Sequence, residues 1–186
     1  QGSAVVAALD KTSSLMTKSV KLQDALVDQL LDMKQLAWMA RVAAGEAVGV
    51  SINTLGDQPM PAEPFLKYTA NIGRLENAWA AMEDIASSLS LPSRLTAAIE
   101  NGRNGYLGAE DTALRLKTLK ALVAGEKIAF SPKEWSANSA AKLTSLVGVA
   151  EAALDVAKEH SAVQPAHAER KSVGWGKGVD TGGGAT

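Results

Sequence analysis

The chain has 186 residues, a formal charge of −1 and no cysteine, and it is 46% hydrophobic but only 4% aromatic. That length suits one domain with a sizeable core. The near-zero charge gives no electrostatic basis for binding nucleic acid, and the missing thiols remove disulfide frameworks, thiolate zinc sites and cysteine nucleophiles. No apolar run reaches the roughly 18 to 20 residues that cross a bilayer.

The ends read differently from the middle. Gln1-Gly2-Ser3 resembles the remnant of tag removal, which makes Ala4 the expected first native residue. SVGWGKGVDTGGGAT, over 172–186, is glycine-rich and lacks periodicity. Residues 1–3 are therefore set apart as a scar, 4–162 as one helical domain and 163–186 as a linker or tail.

From Val5 to Thr54 no proline interrupts, and small or apolar residues alternate at spacings of four and three, through Leu22, Leu26, Gln29, Met33, Leu36, Ala40, Ala43, Ala47 and Val50. This is a heptad seam about 50 residues long, on the order of 75 Å as a helix. Gly56 and the prolines at 59, 61 and 64 end it. A second helix is predicted over about 64–89, with Phe65, Tyr68, Ile72, Leu75, Trp79, Met82, Ala86 and Leu89 on its seam. A third, over about 93–124, carries Leu95, Ile99, Tyr106, Ala109, Ala113 and Leu116, and Gly102, Gly105 and Gly108 predict a kink or break in its middle. Gly125 ends it. Ser131-Pro132-Lys133-Glu134 has the form of a capping box opening a fourth helix, which buries Trp135, Leu143, Leu146, Ala150, Ala153 and Ala157 and stops at about residue 162, before Pro165.

Four such helices with short turns predict an all-α fold, an antiparallel up-down-up-down four-helix bundle with a very long first helix. Because that helix is nearly twice the length of the second, its N-terminal half lacks neighbours within one chain. A homodimer through it is expected.

Lys34 and Arg41 fall at heptad position b of the first helix, with Val27 and Val48; Trp38, Gly45 and Ile52 fall at f, and Val42 and Gly49 at c. Positions that ordinarily face water are thus mostly apolar from 34 to 52, which predicts burial on both sides. A guanidinium there needs an anionic partner, because an unpaired buried charge is too costly to keep. The partner is either a carboxylate of the chain, Glu46 or Glu76, or a small anionic ligand; the remaining reading is an arginine that reaches water over its own stem.

Leu36-Ala37-Trp38-Met39-Ala40-Arg41-Val42-Ala43-Ala44-Gly45-Glu46, then Leu75-Glu76-Asn77-Ala78-Trp79, Asn104-Gly105-Tyr106-Leu107 and Ser131-Pro132-Lys133-Glu134-Trp135, together resemble the periplasmic four-helix-bundle sensor domains of bacterial chemoreceptors, the methyl-accepting chemotaxis proteins, and of related transmembrane signalling proteins. The resemblance covers about 4–162. It implies a periplasmic domain of an inner-membrane protein, lying between two flanking membrane spans, dimeric, and binding a small molecule near the distal part of the first helix. It places Arg41 in the ligand region with Trp38 and Glu46 beside it; Lys34, one heptad below, is added from its position and is expected to contribute less, since an ammonium lacks the bidentate fork. One departure stands: a last helix that ends at about 162 does not match the first in length, so either the tail is foreign or the lower part of the first helix is paired differently.

Other constellations are thinner. His160 and His167 are seven apart, but no carboxylate has metal-ligand spacing with both, and they read as solvated tail residues rather than a metal site. NGRNGYLG, over 101–108, has no preceding strand and reads as a helix break rather than a phosphate cradle. Trp79 and Trp135 read as core. No catalytic residue, metal or cofactor is assigned, and the chain is not expected to be an enzyme. Two functional classes follow: a sensor module for a small, anionic molecule, and a structural helical oligomerisation or adaptor module without one.

Overall fold

A computed structural model describes residues 24–55 and 59–175, with side chains to residue 163. All regular structure among them is α-helical: α1 Ala25–Thr54, α2 Ala62–Ser87, α3 Ser93–Tyr106, α4 Ala109–Ala124 and α5 Pro132–Trp175. α1 packs against both α2 and α5, and α3 packs against α5 and meets α4.

α1 starts at Ala25, partway along the apolar repeat. Asp24 is extended, with φ −152° and ψ 116°, and its Oδ1 accepts from the backbone N–H groups of Leu26 and Val27 at 2.9 and 3.3 Å. A side chain that caps in this way competes with helix continuation. The expectation of one helix running unbroken from Val5 through Asp24 is therefore corrected, and the part of it before residue 24 lies outside the described residues. At 30 residues α1 is little longer than the 26 of α2. The longest described helix is the last. α5 has 44 residues and passes through Pro165 to Trp175, so Pro165 does not close it and 172–175 are helical rather than linker. An interior proline costs about 3 kcal/mol through one lost hydrogen bond and a ring clash, but the turns on either side still bond.

The predicted third helix is two. α3 ends at Tyr106, and Gly108 opens α4 with φ −61° and ψ 153°. A Cβ on Gly108 would stand 2.4 Å from the Asn104 carbonyl oxygen, so the break between the two helices leaves no room for a side chain there. The break also rotates the seam. Ala109, Ala113 and Leu116, expected inside, are exposed, and α4 instead buries Asp111, Arg115, Thr118 and Leu122. Gly125, at φ 70°, ends α4 as expected, with Glu126 N–H donating back to Ala121 O at 2.9 Å. The capping box at the start of α5 also forms. Ser131 N–H and Oγ donate to Glu134 Oε2 at 2.7 and 2.8 Å, and Glu134 N–H donates to Ser131 Oγ at 3.3 Å.

The core gathers Leu30, Met33 and Ala40 of α1 with Leu75, Trp79 and Met82 of α2, and Leu95 of α3 with Leu146 and Val149 of α5. Burying a leucine or methionine contributes about 1.5 to 3 kcal/mol. Trp79 and Trp135 are core, as expected. On α1 the buried stripe is turned by one position from the predicted seam. Met33, Ala40 and Ala47 at a and Ala43 at d are buried as predicted, but Leu30, Ala37, Ala44 and Ser51 are buried at e, while Gln29, Leu36 and Val50 at d are only half-buried. Gly102 marks the closest approach of α3 to its neighbours: a Cβ would meet Trp79 Cη2 at 2.6 Å, Val149 Cγ2 at 3.2 Å and Ser145 O at 3.3 Å.

Two outcomes are expected. Gly102→Ala should destabilise the chain by about 1 to 3 kcal/mol through overpacking, despite its better helix propensity. Gly73→Ala, where a Cβ meets nothing within 4 Å, should stabilise it by about 0.5 to 1 kcal/mol. Urea denaturation of both variants checks the contrast.

The second concerns pH. The Asp24 carboxyl is pushed up by burial, but hydrogen bonds from His160 and the Val27 and Leu26 amides outweigh this and hold it below the usual carboxylate range. A depressed carboxyl contributes stability that is complete above its unfolded value of about 3.9 and is lost as pH falls through the folded one. Asp24→Asn keeps a capping oxygen and removes the charge. Its melting temperature should fall less steeply than that of the wild type between about pH 5 and pH 2.

Candidate functional site

The face of α1 singled out by its two cations is half-covered. Around the helix, position b borders the buried e stripe, so Val27 and Val48 are buried while Lys34 and Arg41 are half-buried. Trp38, Gly45 and Ile52 at f and Val42 and Gly49 at c are half-buried too, and the exposed stripe is Met39, Glu46 and Asn53 at g. The expected burial on both sides of α1 is thus only partial on the outer side.

Arg41 lies along this face. Its guanidinium carbon is 5.9 Å from the centroid of the Trp38 ring, within cation–π range, and a Cβ on Gly45 would meet Nη1 at 3.4 Å. One turn further on, a Cβ on Gly49 would meet nothing within 4 Å, and the open surface there is shared with Glu46 and with Asn71 and Arg74 of α2. Lys34 stands one heptad below and takes part in an interaction of its own.

Glu46 is not part of this group. It projects toward α2, where Arg74 Nη1 donates to its Oε2 at 2.9 Å and to Asn71 Oδ1 at 3.1 Å. Glu76 is exposed. The structure thus brings together Trp38, Arg41 and Lys34 on one face and places Glu46 with another cation. Among the described residues Arg41 has no carboxylate within ion-pair distance.

Sequence reasoning missed a second cluster. Asp111 and Arg115 of α4 are both buried and form an ion pair, and Lys142 of α5 donates to the other Asp111 oxygen. Arg115 also donates to the Tyr106 carbonyl at the end of α3 and to Thr112 Oγ1, and its guanidinium carbon lies 4.2 Å from the Tyr106 ring centroid. Tyr106 in turn donates its hydroxyl to Ala44 O of α1 at 3.3 Å. Burial pushes the Tyr68 and Tyr106 phenols up, with the nearby Arg115 charge opposing it. The only sequence signal was Asp111-x-x-x-Arg115, an i,i+4 pair that on most helices is a solvated surface contact. Here it joins α4 to α3 and α5.

His160 also departs from expectation. Rather than being a solvated tail residue, it is half-buried with Nε2 2.8 Å from Asp24 Oδ2, linking the start of α1 to α5. The His167 side chain lies outside the described residues. Among the described residues no three metal-ligating side chains cluster, and no helix is long and apolar enough to cross a membrane. No protein-family model matches the chain, and no curated protein or solved structure is significantly similar to it.

Removing one partner of a buried charge cluster leaves the others uncompensated. Asp111→Ala should cost about 3 to 5 kcal/mol, against about 0 to 1 kcal/mol for Glu159→Ala, which breaks the exposed Arg94–Glu159 pair. Chemical denaturation of the two variants measures the difference.

Proposed function

We propose that the chain is the extracytoplasmic sensor module of a transmembrane receptor of the chemoreceptor type, binding a small anion against the outer face of α1 on the periplasmic side of the inner membrane. In this reading its helices form an antiparallel four-helix bundle, with α3 and α4 as one broken arm. The cross-helix pairs support that arrangement. Asp24 of α1 and Arg94 of α3 both meet the 159–160 turn of α5, whereas Ser145, earlier on α5, lies against Gly105, later on α3.

The observation that carries the ligand reading is Arg41. It is half-buried beside Trp38, lacks a carboxylate partner among the described residues, and the nearest candidate along the sequence, Glu46, is held by Arg74. A planar fork of donors in that state suits a carboxylate or another planar anion. The length disparity that first suggested a homodimer does not hold for the described helices. The dimer now rests on the incompletely covered outer face of α1, which a second copy would complete, and signalling would proceed by shifts of about 1 to 2 Å between helices.

A thermal-shift screen of amino acids, organic acids and inorganic anions tests the proposal, since a ligand that binds only the native state raises its melting temperature. Arg41→Ala should abolish the shift given by any hit while leaving the unliganded protein within about 1 kcal/mol of wild type, the scale of one exposed cation–π contact. Lys34→Ala should weaken the shift less. An Arg41→Ala protein that binds the hit unchanged removes Arg41 from the site. A screen without any hit, with a protein that still self-associates in sedimentation, favours the structural adaptor instead.

A further inference from the structure

The outer side of α4 carries a feature that the sensor reading does not use. Leu116 is 50% exposed on this side, and the connection from α4 to α5 folds back beside the helix. Between them lies a groove of about 810 Å³, within the roughly 300 to 1,000 Å³ of small-molecule sites. Its walls are mainly apolar, formed by Leu114, Ala121 and Ala124 of the helix and by Ile128, Ala129 and Phe130 of the connection.

The far wall is held in place at both ends. Gly125 and the Glu126–Ala121 bond anchor its start, the capping box at Ser131 anchors its end, and the Phe130 ring stacks on buried Trp135 with centroids 4.8 Å apart and planes 8° from parallel. Three lysines, Lys117, Lys120 and Lys127, also line the groove, against a single acid, Glu126. None of the three has a carboxylate partner among the described residues. The groove therefore offers apolar surface and net positive charge together.

Its chemistry narrows the choice of occupant. It follows α4 from Ala113 to Ala124, about 16 Å at the helical rise. A small hydrophilic anion would leave the apolar walls wet, and a neutral lipid would leave the lysines without a counter-charge. We propose that the groove binds a single-chain amphiphilic carboxylate, a medium-chain fatty-acid anion, with its head among the lysines and its chain along Leu114, Ala121 and Phe130. This site is separate from Arg41.

Titration calorimetry of the full chain at neutral pH, with hexanoate, octanoate and decanoate below their micellar concentrations, tests it. One molecule should bind per chain, with affinity rising about fourfold for each added methylene, the free energy of burying that group. Lys120→Gln with Lys127→Gln should weaken decanoate binding roughly tenfold. Ala121→Trp, which fills the groove, should abolish it, and Arg41→Ala should leave it unchanged, which separates this site from the proposed sensor site. Decanol binding as tightly as decanoate overturns the proposal, as does unaltered binding by the lysine pair variant. Binding of many molecules with a falling melting temperature also overturns it, showing detergent action. Binding to vesicles of anionic phospholipid without binding of free decanoate assigns the lysines to a membrane surface instead. If Ala121→Trp does not fold, the lysine pair and the chain-length series decide.

Discussion

The structure depends on α1 being covered from two directions at once. α2 and α5 both pack against it, and the residues that meet them include Ala37, Ala40, Ala44 and Ala47, all fully buried. Alanine loses no side-chain entropy on packing and lets neighbouring backbones approach closely. A helix with two neighbours buries a wider arc than the two-position seam of a coiled coil, so position e joins a in the core and position b is drawn to its border. The half-burial of Arg41 follows from this arc: the residue stands at the edge of a packed surface with its guanidinium beside Trp38.

Around that packed centre the polar interactions work at helix ends and at the join of α4, and they differ in strength. Exposed pairs such as Arg94–Glu159 and Lys67–Glu63 add little, because water screens them and ordering two long side chains costs entropy. Asp24 does more, since one carboxylate both caps α1 and meets His160 of α5. The Asp111–Arg115–Lys142 cluster has the greatest consequence. Apart from Leu122, the residues that α4 buries are polar or charged, so its attachment depends on those charges remaining paired. A helix fixed mainly by such a cluster is more sensitive to the loss of a single group than one fixed by many apolar contacts.

The glycines of the third arm show how one residue type serves different ends. Gly108 stands where α3 gives way to α4, Gly102 where Trp79 leaves no room for a Cβ, and Gly105 against Ser145. Read only as weak helix formers, the three suggest a break near the middle of the arm. Only the packing shows that one of them makes the break and that another lies inside an intact helix.

The sequence by itself determined the helical class, the turns at Pro59 to Pro61, Pro92 and Gly125, the capping box at Ser131 and most of the core of α2 and α5. These are decided by local stereochemistry and by apolar spacing of three and four, both properties of a short window of chain. It also drew attention to Trp38, Lys34 and Arg41 as cations and an aromatic on one face. What only the tertiary structure decided is which partner each charge takes. Glu46 lies five residues from Arg41 and is taken by Arg74 on α2, Asp111 and Arg115 turn inward because the break at Gly108 rotates α4, and Asp24 caps the start of α1 within an otherwise continuous repeat while its other oxygen meets a histidine on α5. An ion pair depends on distance in space, and the separation between two helices cannot be read from the periodicity of either one.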